Sequence, residues 1–230
     1  MQNNDELDIL LKILSLDFKD RQLFTQAFYH RSYLNENKGA LESNERLEFL
    51  GDSILSLVVS STLYKLRKGD TEGELTNLRA YIVKTPSLAQ ASKKLNLGSF
   101  LRLSKGEETS GGRGNPQLLA NTYEALLGAI FLDQGLEVVK KVIEKTLLSL
   151  FDKELQSGPP KDAKSNLQEI VQEKFKQSPH YKILATRGPD HAKQFTVAVY
   201  IEGKEMGKGS GSSKQDAEEQ SAQEALKKLG

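Results

Sequence analysis

The chain has 230 residues, 37% hydrophobic and 27% charged, with no Trp; this is the make-up of a soluble globular protein of one large or two modest domains. The absence of Cys excludes disulfides, thiolate metal sites and a Cys nucleophile, which suits a reducing cytoplasm. A net charge of only +1 argues against a uniformly basic nucleic-acid binder, but residues 1–160 hold 20 basic and 21 acidic residues whereas 161–230 hold 12 and 10. An acid-leaning front and a base-leaning back are compatible with a metal site in one and a phosphate-contacting surface in the other. The opening residues Met1-Gln-Asn-Asn-Asp-Glu6 are polar and acidic, so no signal or transit peptide is expected. No apolar run approaches the roughly 20 residues needed to span a bilayer. The expected location is the cytoplasm, away from membranes.

Apolar residues recur at helical spacing over 5–14, 20–29, 44–67, 72–80, 85–95, 116–132 and 136–155. Asn35–Ser43 and the Gly-rich Lys105–Asn115 read as long irregular loops. Ser157-Gly-Pro-Pro160 cannot continue a helix and marks a semi-stiff linker. The predicted organisation is a first domain over 1–156, a linker over 157–161 and a second domain over 162–230. In the second domain, 164–177 reads as a helix with Leu167, Ile170, Val171 and Phe175 on one side. Phe195–Ile201 alternates as a half-buried strand, with Tyr181–Thr186 and Lys204–Gly209 read as its partner strands. Ser213–Leu229 closes as a helix with Ala217, Ala222, Ala225, Leu226 and Leu229 inward.

At about 100° per residue, Leu47, Leu50, Ile54, Leu57 and Val58 form one apolar stripe on the helix beginning near residue 44. Glu45, Glu48 and Asp52 fall on the opposite side, sharing that half with Phe49, Leu55 and Val59. Carboxylates crowded at a poorly hydrated place need a compensating cation. In the helix Leu118–Ile130, Asn121 and Glu124 are neighbours at i, i+3, and Gly128 permits another helix to come close. An all-oxygen donor set suits Mg²⁺ or Mn²⁺. Spacing alone leaves a plain solvated face as the alternative.

Asn44-Glu-Arg-Leu-Glu-Phe-Leu-Gly-Asp-Ser53 resembles the ribonuclease III signature over its full length. His30-Arg-Ser32, Glu72-Gly73, Leu78-Arg-Ala80 and Glu124-Ala-Leu-Leu-Gly-Ala129 extend the resemblance. It implies a mainly α protein: an all-helical nuclease domain followed by a small α-β-β-β-α double-stranded RNA-binding domain. It further implies a homodimer with the signature helix at its axis and one metal site per subunit. Glu48, Asp52 and Glu124 would hold Mg²⁺, with Mn²⁺ as a substitute, and Asp52 and Glu124 would be the most critical. Glu45 and Glu72 would be accessory acids, and Phe49 would plug into the partner subunit, ordinary core packing being its alternative. The implied reaction is hydrolysis of double-stranded RNA to 5′-phosphate and 3′-hydroxyl ends, for processing of structured RNA such as ribosomal precursors. Where the family usually has Asp, this chain has Asn121, which can ligate through its carbonyl oxygen but brings no charge. The alternative is therefore a protein of the same fold that binds double-stranded RNA and cuts it weakly or not at all.

Lys164-Ser-Asn-Leu-Gln-Glu169, Gly188-Pro-Asp-His191 and Gly207-Lys-Gly-Ser-Gly-Ser-Ser-Lys214 with Ala217 resemble the double-stranded RNA-binding domain. Such a domain reads A-form shape across two minor grooves. By that resemblance Gln168 and Glu169 meet one groove, His191 the next, and Ser212, Ser213 and Lys214 present a helix start to phosphate. Gln215-Asp216 stands where relatives often have a further Lys, which predicts moderate affinity. His30 reads as a hydrogen-bonded helix residue before a general base. Gly111-Gly-Arg-Gly114 lacks the Lys-Ser/Thr end of a P-loop, so no nucleotide cofactor is expected. Arg113 and Lys105 are candidates for RNA contact, with a solvated loop as the alternative.

Overall fold

The computed structural model describes residues 3–37, 42–160, 162–189 and 192–229. It divides into two compact units, Met1–Pro159 and Pro160–Gly230.

The first unit is helical: α1 (Asn3–Leu14), α2 (Arg21–Gln26), α3 (Arg31–Glu36), α4 (Glu45–Leu66), α5 (Glu72–Val83), α6 (Thr85–Lys94), α7 (Leu97–Phe100), α8 (Lys105–Thr109), α9 (Pro116–Gln134), α10 (Leu136–Thr146) and α11 (Asp152–Ser157). Helix α9 is its axle. Asn115 caps it through Oδ1, which accepts from Gln117 N and Leu118 N, and Pro116 follows at the first helical position. Ten of its residues are buried, among them Tyr123, Leu126, Leu127 and Ile130, and α2, α4, α6, α7 and α10 pack around it. Each fully buried aliphatic side chain contributes about 1.5–3 kcal/mol over leaving it exposed. Tyr123 Oη meets Thr146 Oγ1 at 2.7 Å, tying α9 to α10 without leaving the phenol unpaired.

By length and composition α4 could cross a bilayer, which the count of unbroken apolar runs does not register. It is instead core: Leu47, Ile54 and Val58 of the apolar stripe are buried, and so are Leu55, Val59 and Leu63 on the half that carries the acids. Leu57, which periodicity places on the apolar stripe, is 56% exposed.

Three other expectations are corrected. The segment 136–155 is not one helix. It breaks at Leu147 and passes through a 3₁₀ turn at Leu148–Leu150 into α11. The break lets Leu147, Leu148, Phe151 and Leu155 all reach the core. The Gly-rich segment 105–115 is not irregular either. Ser104 Oγ accepts from Glu107 N and starts α8, Gly111 ends it at φ +86°, and Gly112–Gly114 form a 3₁₀ turn. Only Gly111 ends a helix, at positive φ; Gly106 lies inside α8, and Gly112 and Gly114 belong to the 3₁₀ turn. Arg113 donates through Nη1 to Gly98 O, Ser99 O and Leu101 O at 2.9–3.1 Å, and through Nε to Glu108 at 2.7 Å. It is a clasp on its own domain. The helix expected over 20–29 stops at Gln26, and α3 follows with His30 as its cap, Nδ1 accepting from Ser32 N.

The second unit consists of α12 (Ala163–Phe175), β1 (His180–Arg187), β2 (Gln194–Ile201), β3 (Lys204–Gly211) and α13 (Lys214–Leu229). The strands form an antiparallel sheet in the order β1-β2-β3, and α13 packs on β2, β3 and α12. Small residues permit this. A Cβ at Gly209 would lie 2.4 Å from Ala217 O, and one at Gly207 2.1 Å from Ser221 O. Leu167, Val171, Val199, Ile201, Ala222 and Ala225 fill the core. Glu219 on α13 accepts from Ala163 N at 2.6 Å and so caps α12 from another element.

Candidate functional site

Two glycines set the geometry of the first unit's cleft. A Cβ at Gly51 would lie 1.8 Å from Glu124 O, and one at Gly128 2.2 Å from Leu47 O. Helices α4 and α9 therefore touch backbone to backbone, and the acids flanking Gly51 come to the same place as Glu124. The start of α4 is pinned by buried Asn44. Its backbone N–H donates to Tyr29 O at 2.8 Å, its Nδ2 donates to Ala27 O at 3.2 Å, and its carbonyl accepts from Glu48 N at 2.8 Å.

The result is a cleft of about 650 Å³ lined by Glu45, Glu48, Asp52, Asn121, Glu124 and His30, among others. Burial pushes Glu124 up to about 8, and the charges of Asp52 and Glu48 add to the shift. Glu48 is raised by burial and by Glu45 and Asp52, while a hydrogen bond from the Asn121 amide opposes the rise. Among the described residues, Glu48, Asp52 and Glu124 have no ion-pair partner. Glu45 is different: it pairs with Arg31 at 3.7 Å and accepts from Ser43 Oγ at 3.0 Å. Among the described residues no three His, Asp or Glu side chains are drawn in to close metal-ligating spacing. The donor set nevertheless fits a hard divalent cation. It is all oxygen, it is short of positive charge, and its most buried member resists ionising alone.

Asn121 lies between Glu48 and Gln117, whose Nε2 donates to Asn121 Oδ1 at 2.7 Å. Gln117 carried no signal in the sequence beyond its i, i+4 spacing from Asn121. Glu72 is not in this cleft. It stands at the start of α5, accepts from Thr76 Oγ1 at 3.0 Å and borders a separate depression with Leu57, Tyr64 and Arg79. Phe49, at 78% exposure, stands on the rim, and Leu57 and Tyr64 continue the exposed apolar stripe along α4. Core packing within its own chain does not account for Phe49.

In the second unit Gln168 is exposed on α12 and donates to Ser178 Oγ at 2.9 Å, and Glu169 is also exposed. His191 lies outside the described residues. Ser212, Ser213 and Lys214 do open α13, but their donors are partly engaged. Ser212 Oγ donates to Asp216 Oδ2 at 2.9 Å, Ser213 N–H donates to the same oxygen at 3.2 Å, and Asp216 N–H donates back to Ser213 Oγ at 3.0 Å. These bonds from Ser213 and Ser212 hold the Asp216 carboxyl below its usual range. The sequence pattern Ser213-x-x-Asp216 is the signal for this cap.

Residues 20–150 match the ribonuclease-III-like family profile, and residues 163–229 match the double-stranded RNA binding motif. The chain is 46% identical to Ribonuclease 3 of Caldanaerobacter subterraneus subsp. tengcongensis over 97% of its length and 98% of the relative's. It is 45% identical to Ribonuclease 3 of Pelotomaculum thermopropionicum over 97% and 93% of the two chains. The crystal structure of the nuclease domain of ribonuclease III from Campylobacter jejuni, 38% identical, superposes with a TM-score of 0.59, covering 66% of this chain and 98% of that one. A second structure of that domain, described for structural flexibility in the region involved in dimer formation, gives 0.58 at 39% identity, covering 62% and 96%. With a ribonuclease-III-like region followed by a double-stranded RNA binding motif, and relatives of that name along nearly its whole length, the chain belongs to the ribonuclease III family.

Proposed function

We propose that this chain is an endoribonuclease that hydrolyses phosphodiester bonds of double-stranded RNA, cutting in the cleft between α4 and α9 and leaving 5′-phosphate and 3′-hydroxyl ends. The carrying observation is the gathering of Glu48, Asp52 and Glu124 at the Gly51–Gly128 crossing, with Glu124 pushed up to about 8. Ribonuclease III enzymes depend on metal as a family, and here Glu48, Asp52 and Glu124 would hold Mg²⁺ or Mn²⁺ with Asn121 at the edge of the set. When bound, such a cation supplies positive charge to a phosphodiester under attack. The protein's own part is to fix the carboxylates on two helices in backbone contact, to keep them short of other cations, and to keep Glu124 poorly hydrated. Glu124 without a cation retains its proton near neutral pH, so loading the site exchanges a proton for the ion.

In this reading residues 1–156 cut, 157–161 link, and 162–230 bind the duplex, with Gln168, Glu169, His191, Ser212, Ser213 and Lys214 facing it. Two copies pair through the stripe of Phe49, Leu57 and Tyr64, an apolar face left exposed in a single chain. Glu45 acts as an accessory acid on the cleft, whereas Glu72 does not face the cleft of its own chain. The chain works in the cytoplasm on structured RNA such as ribosomal precursors. The reading as a binder without cutting power rests on Asn121 alone and is not favoured, since the three carboxylates are retained and the relatives along the whole chain are Ribonuclease 3 proteins.

The test is cleavage of a long RNA duplex with Mg²⁺ by the wild type, Asp52→Asn and Glu124→Gln. The wild type should cut, and each variant should lose cleavage by on the order of 10³-fold while still binding the duplex. A wild type that binds duplex without cutting at any Mg²⁺ or Mn²⁺ concentration would establish the alternative.

A further inference from the structure

The amide of Asn121 is held at its oxygen and faces Glu48 with its other end. Gln117, one turn earlier on α9, donates from Nε2 to Asn121 Oδ1 at 2.7 Å. Gln117 is itself seated by the cap of α9, its backbone N–H donating to Asn115 Oδ1 at 2.9 Å. The other end of the amide faces the Glu48 carboxylate and favours its charged form. An ionised carboxylate only accepts, so the donor there is Nδ2. All three side chains line the acidic cleft. A planar carboxamide has one donor end and one acceptor end, and the bond from Gln117 decides which end Glu48 meets. Resting on the reading of this cleft as the cutting site, we propose that Gln117 is a positioning residue: by occupying Asn121 Oδ1 it holds Nδ2 on Glu48, so that Asn121 orients the Glu48 carboxylate instead of offering its own oxygen to a cation.

The arrangement has a physical logic of its own. With the amide turned over, its oxygen would face a carboxylate already crowded by Glu45 and Asp52. A carboxylate at position 121 would add a further negative charge there and could not donate. Gln117 therefore matters only while residue 121 has two unlike ends. In Asn121→Asp the two oxygens are equivalent, and Gln117 has nothing left to choose.

A double-mutant cycle on the full chain tests this. Gln117→Met keeps the length and removes the donor; it is combined with Asn121→Asp. The readouts are Mn²⁺ affinity by calorimetry without RNA, and the Asn121 side-chain ¹H–¹⁵N resonances in metal-free protein. Gln117→Met should shift the Asn121 resonances and weaken Mn²⁺ binding about tenfold, but by less than about twofold in the Asn121→Asp background. Equal weakening in both backgrounds, or unmoved Asn121 resonances, would overturn the proposal. Cleavage by the wild type is measured alongside. Coupling without cleavage keeps Gln117 as a positioning residue and removes the nuclease reading, whereas cleavage without coupling removes Gln117 alone. If the wild type bound no Mn²⁺, the amide resonances would still decide the matter.

Discussion

Glu124 on α9 and Asp216 on α13 are both helix carboxylates close to backbone, yet their surroundings push them in opposite directions. Glu124 is desolvated beside Asp52 and Glu48 and is pushed up to about 8. Asp216 is fully exposed and accepts from Ser213 and Ser212, which hold it below its usual range. Hydrogen-bond donors make an acid content with its charge, and their absence leaves it needing a cation. The first acid is therefore placed for chemistry, at a cost in stability. The second is placed for architecture, at a cost in any affinity the helix start has for phosphate.

The largest effect should come from breaking the geometry that crowds the first group. Gly128→Ala sets a methyl 2.2 Å from Leu47 O, a backbone atom that cannot swing away. The two helices must separate, and we expect a loss of about 3 kcal/mol in the unfolding of the helical unit. Urea unfolding followed by circular dichroism measures it, and a midpoint within error of wild type would show that the contact is easily relaxed.

Removing the unsatisfied charge should instead stabilise. Below its ordinary range Glu124 is protonated in both folded and unfolded chains. Between that range and about 8 the unfolded chain ionises while the folded chain keeps its proton, so stability falls as pH rises. Above about 8 the folded chain ionises as well and the penalty levels off. Glu124→Gln in metal-free buffer should therefore gain about 1–2 kcal/mol in alkaline solution, allowing for partial solvent screening, and nothing in acid below the ordinary Glu range. An equal gain at both ends of the pH range would mean that packing, not charge, is responsible.

The two regions also differ in how much the sequence disclosed. The carboxylate face of α4 followed from helical periodicity, because Glu45, Glu48 and Asp52 must share a side. Gly128 announced a close approach, but its counterpart Gly51 hid inside the family signature as one letter among ten. Periodicity could not place Leu57 or Phe49, because an apolar residue on a long helix reads the same whether it faces its own core or another chain. It also joined 136–155 into one helix, because the buried run Leu147, Leu148, Phe151 and Leu155 continues an apolar pattern through a change of direction. Glycine content misled at 105–115, where position within the turn outweighs abundance. Amide orientation at Asn121 depends on a neighbour one turn away and is invisible without coordinates.

The smallest effect tests the other half of the contrast. If Asp216 satisfies donors that a phosphate would otherwise meet, Asp216→Asn keeps an acceptor for Ser212 and Ser213 but removes the negative charge at the helix start. Phosphate binding at a helix N-terminus draws on the free N–H groups and on the positive end of the dipole, and an intrinsic carboxylate weakens both. We expect the full chain to bind duplex RNA about two- to fivefold more tightly, with a slightly steeper dependence on salt and unchanged cleavage once RNA is saturating. Because Lys214 is exposed beside it, Lys214→Gln in the same assay should move affinity the opposite way. If Asp216→Asn left affinity and salt dependence unchanged while lowering the melting temperature, the Asp216 carboxylate would be a cap and nothing more, and the helix start would not be a phosphate contact.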